Sequence, residues 1–339
     1  MKVWFNKTFS SVQNALRLIR QGDKEQAYTL VASSPNPHAL VRLAADEFHQ
    51  EPSGLAGEAY AEWCADFCSR HKIGIFVPGK EAALLADAED TFAGFGTRIL
   101  SSAPRAMLNL LHDKGRFYAT VECPQAPAPA WQACASLAEF DAAYDRLREA
   151  HDQLCIKPSV SVYGIGFRRI REDRSAYDIY ADGHDYQIDL PSLRIMLAQR
   201  ETFPTLLVME FLSGHEFSVD CVADRGVLRC AVARRKPLRA GHGQIIDPRE
   251  DIQAACAAII HQFSLNGYAN IQFREGVSGL RTLEVNPRMS GGIAMACLAG
   301  PNLPYLGVAG FDSGYATLQI PVAVPGLRVG EVTQAVELV

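Results

Sequence analysis

Leu283-Glu284-Val285-Asn286-Pro287-Arg288-Met289-Ser290-Gly291-Gly292 sets a carboxylate, an amide and a guanidinium on alternate positions of one short run. In an extended strand, residues i, i+2 and i+4 share a face. Glu284, Asn286 and Arg288 therefore converge, and Pro287 and the glycines end the strand. Two oxygen ligands beside a bidentate cation suit a magnesium ion carrying a phosphate.

Just upstream, Asn270-Ile271-Gln272-Phe273-Arg274 reads as a partner strand. A hairpin closed around Gly276 to Gly279 brings Gln272 near Glu284. Ile156-Lys157-Pro158-Ser159-Val160-Ser161-Val162-Tyr163-Gly164-Ile165-Gly166 is a strand that runs into a small-residue loop. Lys157 supplies charge there, Ser159 and Ser161 supply hydroxyls, and Gly164 and Gly166 suggest a flap over phosphate. Arg169 occupies the third position of a G-x-G-x-x-G match, which argues against a dinucleotide fingerprint. In Val208 to Asp220, Met209 and Leu212 suit the faces of a flat base. The backbone of Glu210 and Phe211 suits its edge, and Glu216 suits two ribose hydroxyls. Taken alone, each of these segments is also the pattern of an ordinary hairpin. The basic run Ala233-Arg234-Arg235-Lys236-Pro237-Leu238-Arg239 ends in Gly241-His242-Gly243, and alternation puts Arg235 opposite Arg234 and Lys236.

The 339 residues suffice for two or three packed units. A net charge of -5 makes no electrostatic case for nucleic acid or membrane. No apolar run spans a bilayer, and the N-terminus lacks a secretory signal, so a cytoplasmic protein is expected. The nine cysteines include no C-x-x-C. Cys64 and Cys68 share a helix face, but no histidine or second pair completes a zinc set. They read as buried hydrophobes in a reducing compartment.

The first hundred residues alternate strand (2–6, 28–33, 73–77, 98–100) and helix (11–20, 58–71, 80–95), the pattern of a parallel sheet covered on both faces. One helix is expected over 104–121, then a proline-rich linker at 123–129. Next come a helix over 137–150, a strand over 153–158, a helix over 190–200 and a strand over 205–212. Alternating strands at 216–222, 227–235, 268–274 and 280–285, interrupted by a helix over 252–263, read as an antiparallel sheet. The fold class is α/β followed by α+β.

Taken in order, these segments resemble the ATP-grasp superfamily, and the resemblance covers nearly the whole chain. It implies a pre-ATP-grasp parallel-sheet unit (1–103), a linker helix and lid (104–204) and a catalytic unit (205–339). Lys114 and Lys157 match the two phosphate-binding lysines, and Glu216 the ribose-binding glutamate. Gln272, Glu284 and Asn286 match the metal ligands, and Arg288 the arginine beside the transferred phosphate. A glutamine at the first metal position is similar to the ATP-grasp module of the carbamoyl phosphate synthase large subunit and its single-module relatives. In those relatives a basic strand and loop lie where Arg235, Lys236 and Arg239 stand here, which makes Arg235 and Lys236 catalytic candidates with Arg288. No second module is present, which argues against carbamoyl phosphate synthesis. Val160, Val162 and Tyr163 replace the usual small residues and stiffen the flap.

The resemblance implies ATP and Mg²⁺ as cofactors, with Mn²⁺ an acceptable substitute. A substrate carboxylate attacks the γ-phosphorus, and an amine then captures the acyl phosphate. Arg239, His242, Ser290, Gly291 and Gly292 are candidate substrate contacts, with Lys80 and Glu81 further along the wall. A homodimer is common among such relatives. Two other classes fit the same residues: a phosphotransferase acting on an alcohol, and a nucleotide-binding regulatory subunit without turnover.

Overall fold

The structure, a computed structural model, describes residues 1–6, 11–161, 164–183, 186–238, 243–332 and 334–337. Three sheets follow one another along the chain. The first contains β1 (Lys2–Phe5), β2 (Thr29–Ser34), β3 (Glu47–Gln50), β4 (Ile73–Val77) and β5 (Arg98–Ile99), all parallel, in the order β3-β2-β1-β4-β5. Helices α1 (Ser11–Gly22) and α2 (Gly57–His71) cover its faces. Leu16 and Ile19 of α1 are fully buried, as their spacing requires. Cys64 and Cys68 of α2 are buried free thiols, and burial pushes Cys64 up to about 12. β3 has no counterpart in the sequence reading. It is a four-residue edge strand whose Glu-Phe-His-Gln run carries little apolar signal.

The expected helix over 80–95 is two short helices, α3 (Ala82–Asp87) and α4 (Glu89–Ala93). The expected helix over 104–121 is likewise broken, into α5 (Arg105–His112) and α6 (Lys114–Thr120). The cause of the second break is Asp113. Its carboxylate accepts the backbone N–H groups of Gly115 (3.0 Å) and Arg116 (3.2 Å), which starts a new helix. Lys114 thereby becomes the first residue of α6 and is buried.

The second sheet contains β6 (Trp131–Cys134), β7 (Leu154–Pro158), β8 (Arg168–Arg171), β9 (Gln187–Asp189) and β10 (Leu206–Glu210), in the order β6-β10-β7-β8-β9. It packs on α7 (Leu137–Arg148) and α9 (Leu190–Leu197), with α8 (Ala176–Ala181) beside β9. The sequence reading starts its catalytic unit at 205, with β10. β10 sits inside this sheet, antiparallel to both β6 and β7. Leu207 and Val208 are apolar on both faces, which suits an inner strand.

The third sheet contains β11 (Glu216–Asp224), β12 (Val227–Arg235), β13 (Gln244–Ile246), β14 (Gly267–Gly276), β15 (Gly279–Asn286) and β16 (Arg328–Val329), in the order β15-β14-β11-β12-β13-β16. Phe217, Val219, Ile271, Phe273 and Val285 point into a core shared with Ile252, Ile259 and Phe263 of α10 (Glu250–Gln262) or just after it. Truncating any one of these three buried phenylalanines costs about 3–5 kcal/mol. Helices α11 (Ile293–Cys297) and α12 (Leu303–Ser313) complete a core between the third sheet and the first.

Asp113→Ala removes the cap that separates α5 from α6. The expected loss is about 1–2 kcal/mol of unfolding free energy in urea. A loss within error of zero would show that tertiary packing alone places Lys114.

Candidate active site

The polar face of the third sheet lines a cleft of about 660 Å³. Strand register sets its side chains out in rows. Arg234, Ser218, Gln272 and Glu284 lie across β12, β11, β14 and β15 in one row. Asp220, Asn270 and Asn286 form the next. Lys236 meets Glu216, which faces Arg274.

One irregularity brings Glu284 and Asn286 into these two rows. From Gly276↔Gly279 to Phe273↔Thr282 the β14–β15 hairpin is regular, but Gln272 then pairs with Glu284. Leu283 is the extra residue, a β-bulge. Regular pairing would set Gln272 against Leu283 and turn Glu284 to the opposite face. The Leu283 carbonyl accepts the Tyr118 hydroxyl (2.6 Å), and that oxygen in turn accepts Lys157 Nζ (2.7 Å). Burial first, then the Glu284 carboxylate, holds the Tyr118 phenol well above its usual range, so it remains a donor.

Around Glu284 the contacts are close. Asn286 Nδ2 donates to Glu284 Oε1 (2.9 Å), and Lys114 Nζ lies 3.5 Å from Glu284 Oε2. Arg288 donates to Asn286 Oδ1 at 3.5 Å and to the Met289 carbonyl at 3.0 Å. Gln272 spends its amide N–H on Asn270 (3.3 Å), which keeps its carbonyl oxygen for a cation. One carboxylate and two amide oxygens form a sparse, hard donor set. That suits Mg²⁺, whose shell is completed by phosphate and water. Lys114 also donates to the Ser161 carbonyl (2.9 Å). Burial depresses both Lys114 and Lys157 below the usual lysine range.

Several expected residues line the cleft: Lys114, Lys157, Ser161, Gly164, Met209, Glu210, Phe211, Leu212, Glu216, Lys236, Gln272, Glu284, Asn286, Arg288, Ser290, Gly291 and Gly292. Others are placed elsewhere. Arg235 points to the opposite face and pairs with Asp247 at 2.8 Å, so it is not beside the phosphate region. Strand alternation forces this, because Arg234 and Lys236 occupy the cleft side. The Ser159 hydroxyl is committed to Asp113 and accepts Gly115 N–H (3.0 Å). It secures the start of α6 rather than a phosphate. Gly166 packs on Pro158: a Cβ there would lie 2.6 Å from the proline ring. Lys80 donates to the Leu55 carbonyl (2.5 Å) and lies over Tyr60, and Glu81 accepts the Gly57 N–H (3.3 Å). Neither borders the cleft. Arg239, Gly241 and His242, and Val162 and Tyr163 of the flap, lie outside the described residues.

Glu216 contacts Lys236 and lies 3.7 Å from Arg274 Nη1. The Glu210 carboxylate is turned to structural work, accepting Ala130 N–H (2.9 Å) and Arg281 Nε (3.4 Å). Arg169 and Arg274 stack on Phe211, at 4.5 and 5.8 Å from the ring centre.

The sequence reading missed Tyr118, Arg234, Arg274, Gln244, Phe167 and Tyr186 as cleft residues or their supports. Arg234 is buried and donates through Nη2 (2.9 Å) and Nε (3.2 Å) to one oxygen of Asp220. It also donates to Ser218 (3.1 Å), Ser290 (3.2 Å) and Gln244 (2.5 Å). A Cβ on Gly292 would lie 2.6 Å from this guanidinium, so the glycine is needed for close approach. The i, i+2, i+4 rule applied to Asn270, Gln272 and Arg274 would have found the last of these.

Residues 202–335 match the family model described as ATP-grasp in the biosynthetic pathway with Ter operon. Similar folds occur in solved structures. An L-amino acid ligase from Bacillus licheniformis is 12% identical with a TM-score of 0.62, over 91% of this chain and 73% of that one. N5-carboxyaminoimidazole synthetase from Staphylococcus aureus complexed with ADP is 12% identical with a TM-score of 0.64, over 91% and 76%. A biotin carboxylase–β,γ-ATP complex from Campylobacter jejuni is 14% identical with a TM-score of 0.61, over 94% and 72%. No curated protein sequence matches the chain. Residues 202–335 thus match an ATP-grasp family model, and the chain shares the fold of these solved structures.

Tyr118→Phe strands the Leu283 carbonyl and deprives Lys157 of its partner. The expected cost is about 1–3 kcal/mol of unfolding free energy. A change below about 0.5 kcal/mol would mean the bulge needs no such brace.

Proposed function

We propose that the protein is an ATP- and Mg²⁺-dependent carboxylate–amine ligase. The observation that carries this reading is the bulged register that sets Gln272, Glu284 and Asn286 on one cleft face beside Lys114 and Arg288. A metal held by that set supplies charge neutralisation to phosphate oxygens. The apolar end of the cleft, with Met209, Phe211, Leu212, Phe167 and Tyr186, suits an adenine base. Glu216 lines the same cleft, where its carboxylate can accept ribose hydroxyls in place of Lys236.

Lys114 and Lys157 hold the phosphate chain from the α6 side. Arg288 stabilises the charge that develops as the γ-phosphoryl group passes to a substrate carboxylate. Attack by an amine on the resulting acyl phosphate expels phosphate and leaves an amide. The loop through Ser161 and Gly164 shields that intermediate from water. Ser290, Gly291 and Gly292 form the wall on which the carboxylate substrate rests. The L-amino acid ligase resemblance favours an amino acid as that substrate.

Glu284→Gln is expected to lower ADP release about 10²-fold or more while nucleotide binding falls far less. Wild-type protein with ATP, a carboxylate panel and hydroxylamine should yield a hydroxamate. Near-normal turnover in Glu284→Gln would remove the metal assignment, and ADP release without hydroxamate would indicate phosphoryl transfer to an alcohol.

The depressed lysines give a second readout. Phosphate anions favour the charged ammonium, so binding raises both pKa values. Between the free and bound values ADP binding therefore takes up protons. Calorimetry in alkaline buffers of different ionisation enthalpy should show that uptake. A buffer-independent enthalpy would place the phosphates away from Lys114 and Lys157.

A further inference from the structure

The first sheet carries a cluster that the cleft does not use. Glu47 and His49 are i, i+2 on the edge strand β3 and share a face. His71 is the last residue of α2, the helix packed on that face. One ligand atom from each residue lies within 4.8 Å of the other two. The His49 and His71 ring centres are 4.4 Å apart, and Phe67 packs against both, at 5.1 and 4.2 Å. His49 Nε2 is buried and has no hydrogen-bond partner among the described residues. Glu47 Oε2 stands 3.7 Å from it, too far for a hydrogen bond.

An orphaned buried ring nitrogen costs about 1–3 kcal/mol, which side-chain rotation would normally relieve. The ring is held in place instead by Phe67 and His71. We propose that Glu47, His49 and His71 bind one zinc-class divalent ion at the edge of the parallel sheet. Two imidazoles and one carboxylate are borderline ligands, selective for Zn²⁺ or Co²⁺ over Mg²⁺, and leave a fourth position open. Ligands on bonds of roughly 2.1 Å stand about 3.5 Å apart in a tetrahedron. Modest rotation of the three side chains closes the remaining distance.

Lys2 Nζ lies 2.7 Å from Glu47 Oε2 and competes for the same carboxylate. Its second oxygen remains open to the metal, because an ionised carboxylate accepts at both. The ion would fasten β3, an otherwise short edge strand, to the C-terminal end of α2.

The test titrates tag-free full-length protein with Co²⁺ and reads visible absorption, then measures Tm with and without Zn²⁺. One equivalent of Co²⁺ should give a tetrahedral band, and Zn²⁺ should raise Tm. His49→Ala and His71→Ala should each weaken binding by more than the roughly 10–100-fold typical of losing a residue that only orients a ligand. Circular dichroism checks their folding, and Glu47→Gln replaces any variant that fails. Glu284→Gln should bind Co²⁺ normally. The site is overturned if no stoichiometric band forms, if the band survives His49→Ala, or if Glu284→Gln abolishes it, which would put the ion in the cleft.

Discussion

One extra residue in one strand determines what this cleft can do. Side chains alternate with period two, so a single-residue offset exchanges the two faces of everything beyond it. Leu283 is that offset. On the hairpin side of it, Thr282 and Leu280 are buried and Arg281 reaches toward Glu210. Beyond it, Glu284 and Asn286 face the cleft while Val285 enters the core. A bulge leaves backbone polar groups outside the ladder, and these need partners. Tyr118 supplies one, and the same oxygen receives Lys157 from the second sheet. A register device in one sheet, a residue of α6 and a phosphate-binding candidate in another sheet thus meet at one hydroxyl.

Beneath the polar rows lies a second constraint. Arg234 and Asp220 are almost completely buried, and such a pair repays its desolvation only when every remaining donor is satisfied. Ser218, Gln244 and Ser290 provide that satisfaction, and Asn270 Nδ2 donates to the free Asp220 oxygen at 3.1 Å. The network spans four strands and reaches the turn after β15. Ser290 is therefore tied from below while Gly291 and Gly292 border the cleft. The wall assigned to substrate is fixed by charge pairing rather than by apolar packing.

The sequence exposed much of this and concealed a definable part. Glu284, Asn286 and Gln272 were legible because alternation within a strand is a local rule. The bulge was not, because the hairpin glycines alone imply a regular ladder. The buried role of Arg234 was obscured by its neighbours: alternation set it on the side of Lys236, but nothing local showed that its partner would be Asp220 on the adjacent strand. Asp113 carried a cap signal inside what read as one continuous helix, and the Lys-Gly pair after it was the remaining cue. β3 and β9 escaped notice because short polar edge strands lack periodicity. The place of β10 was a question of topology. No local pattern distinguishes a strand that ends one sheet from one that leads into the next.

That topology also places the connection between two sheets against the cleft. β10 lies in the middle of the second sheet, and only five residues separate it from β11 in the third. Those residues include Phe211 and Leu212 of the proposed base site. The connection is held tightly: Gly214 N–H donates to the Glu275 carbonyl (3.0 Å), and a Cβ on Gly214 would lie 2.8 Å from that oxygen. Phe211 N–H donates to the Gln153 carbonyl of the second sheet (2.8 Å). The segment is thus anchored at one end to each sheet. A base seated against it would touch the five-residue link between the second and third sheets.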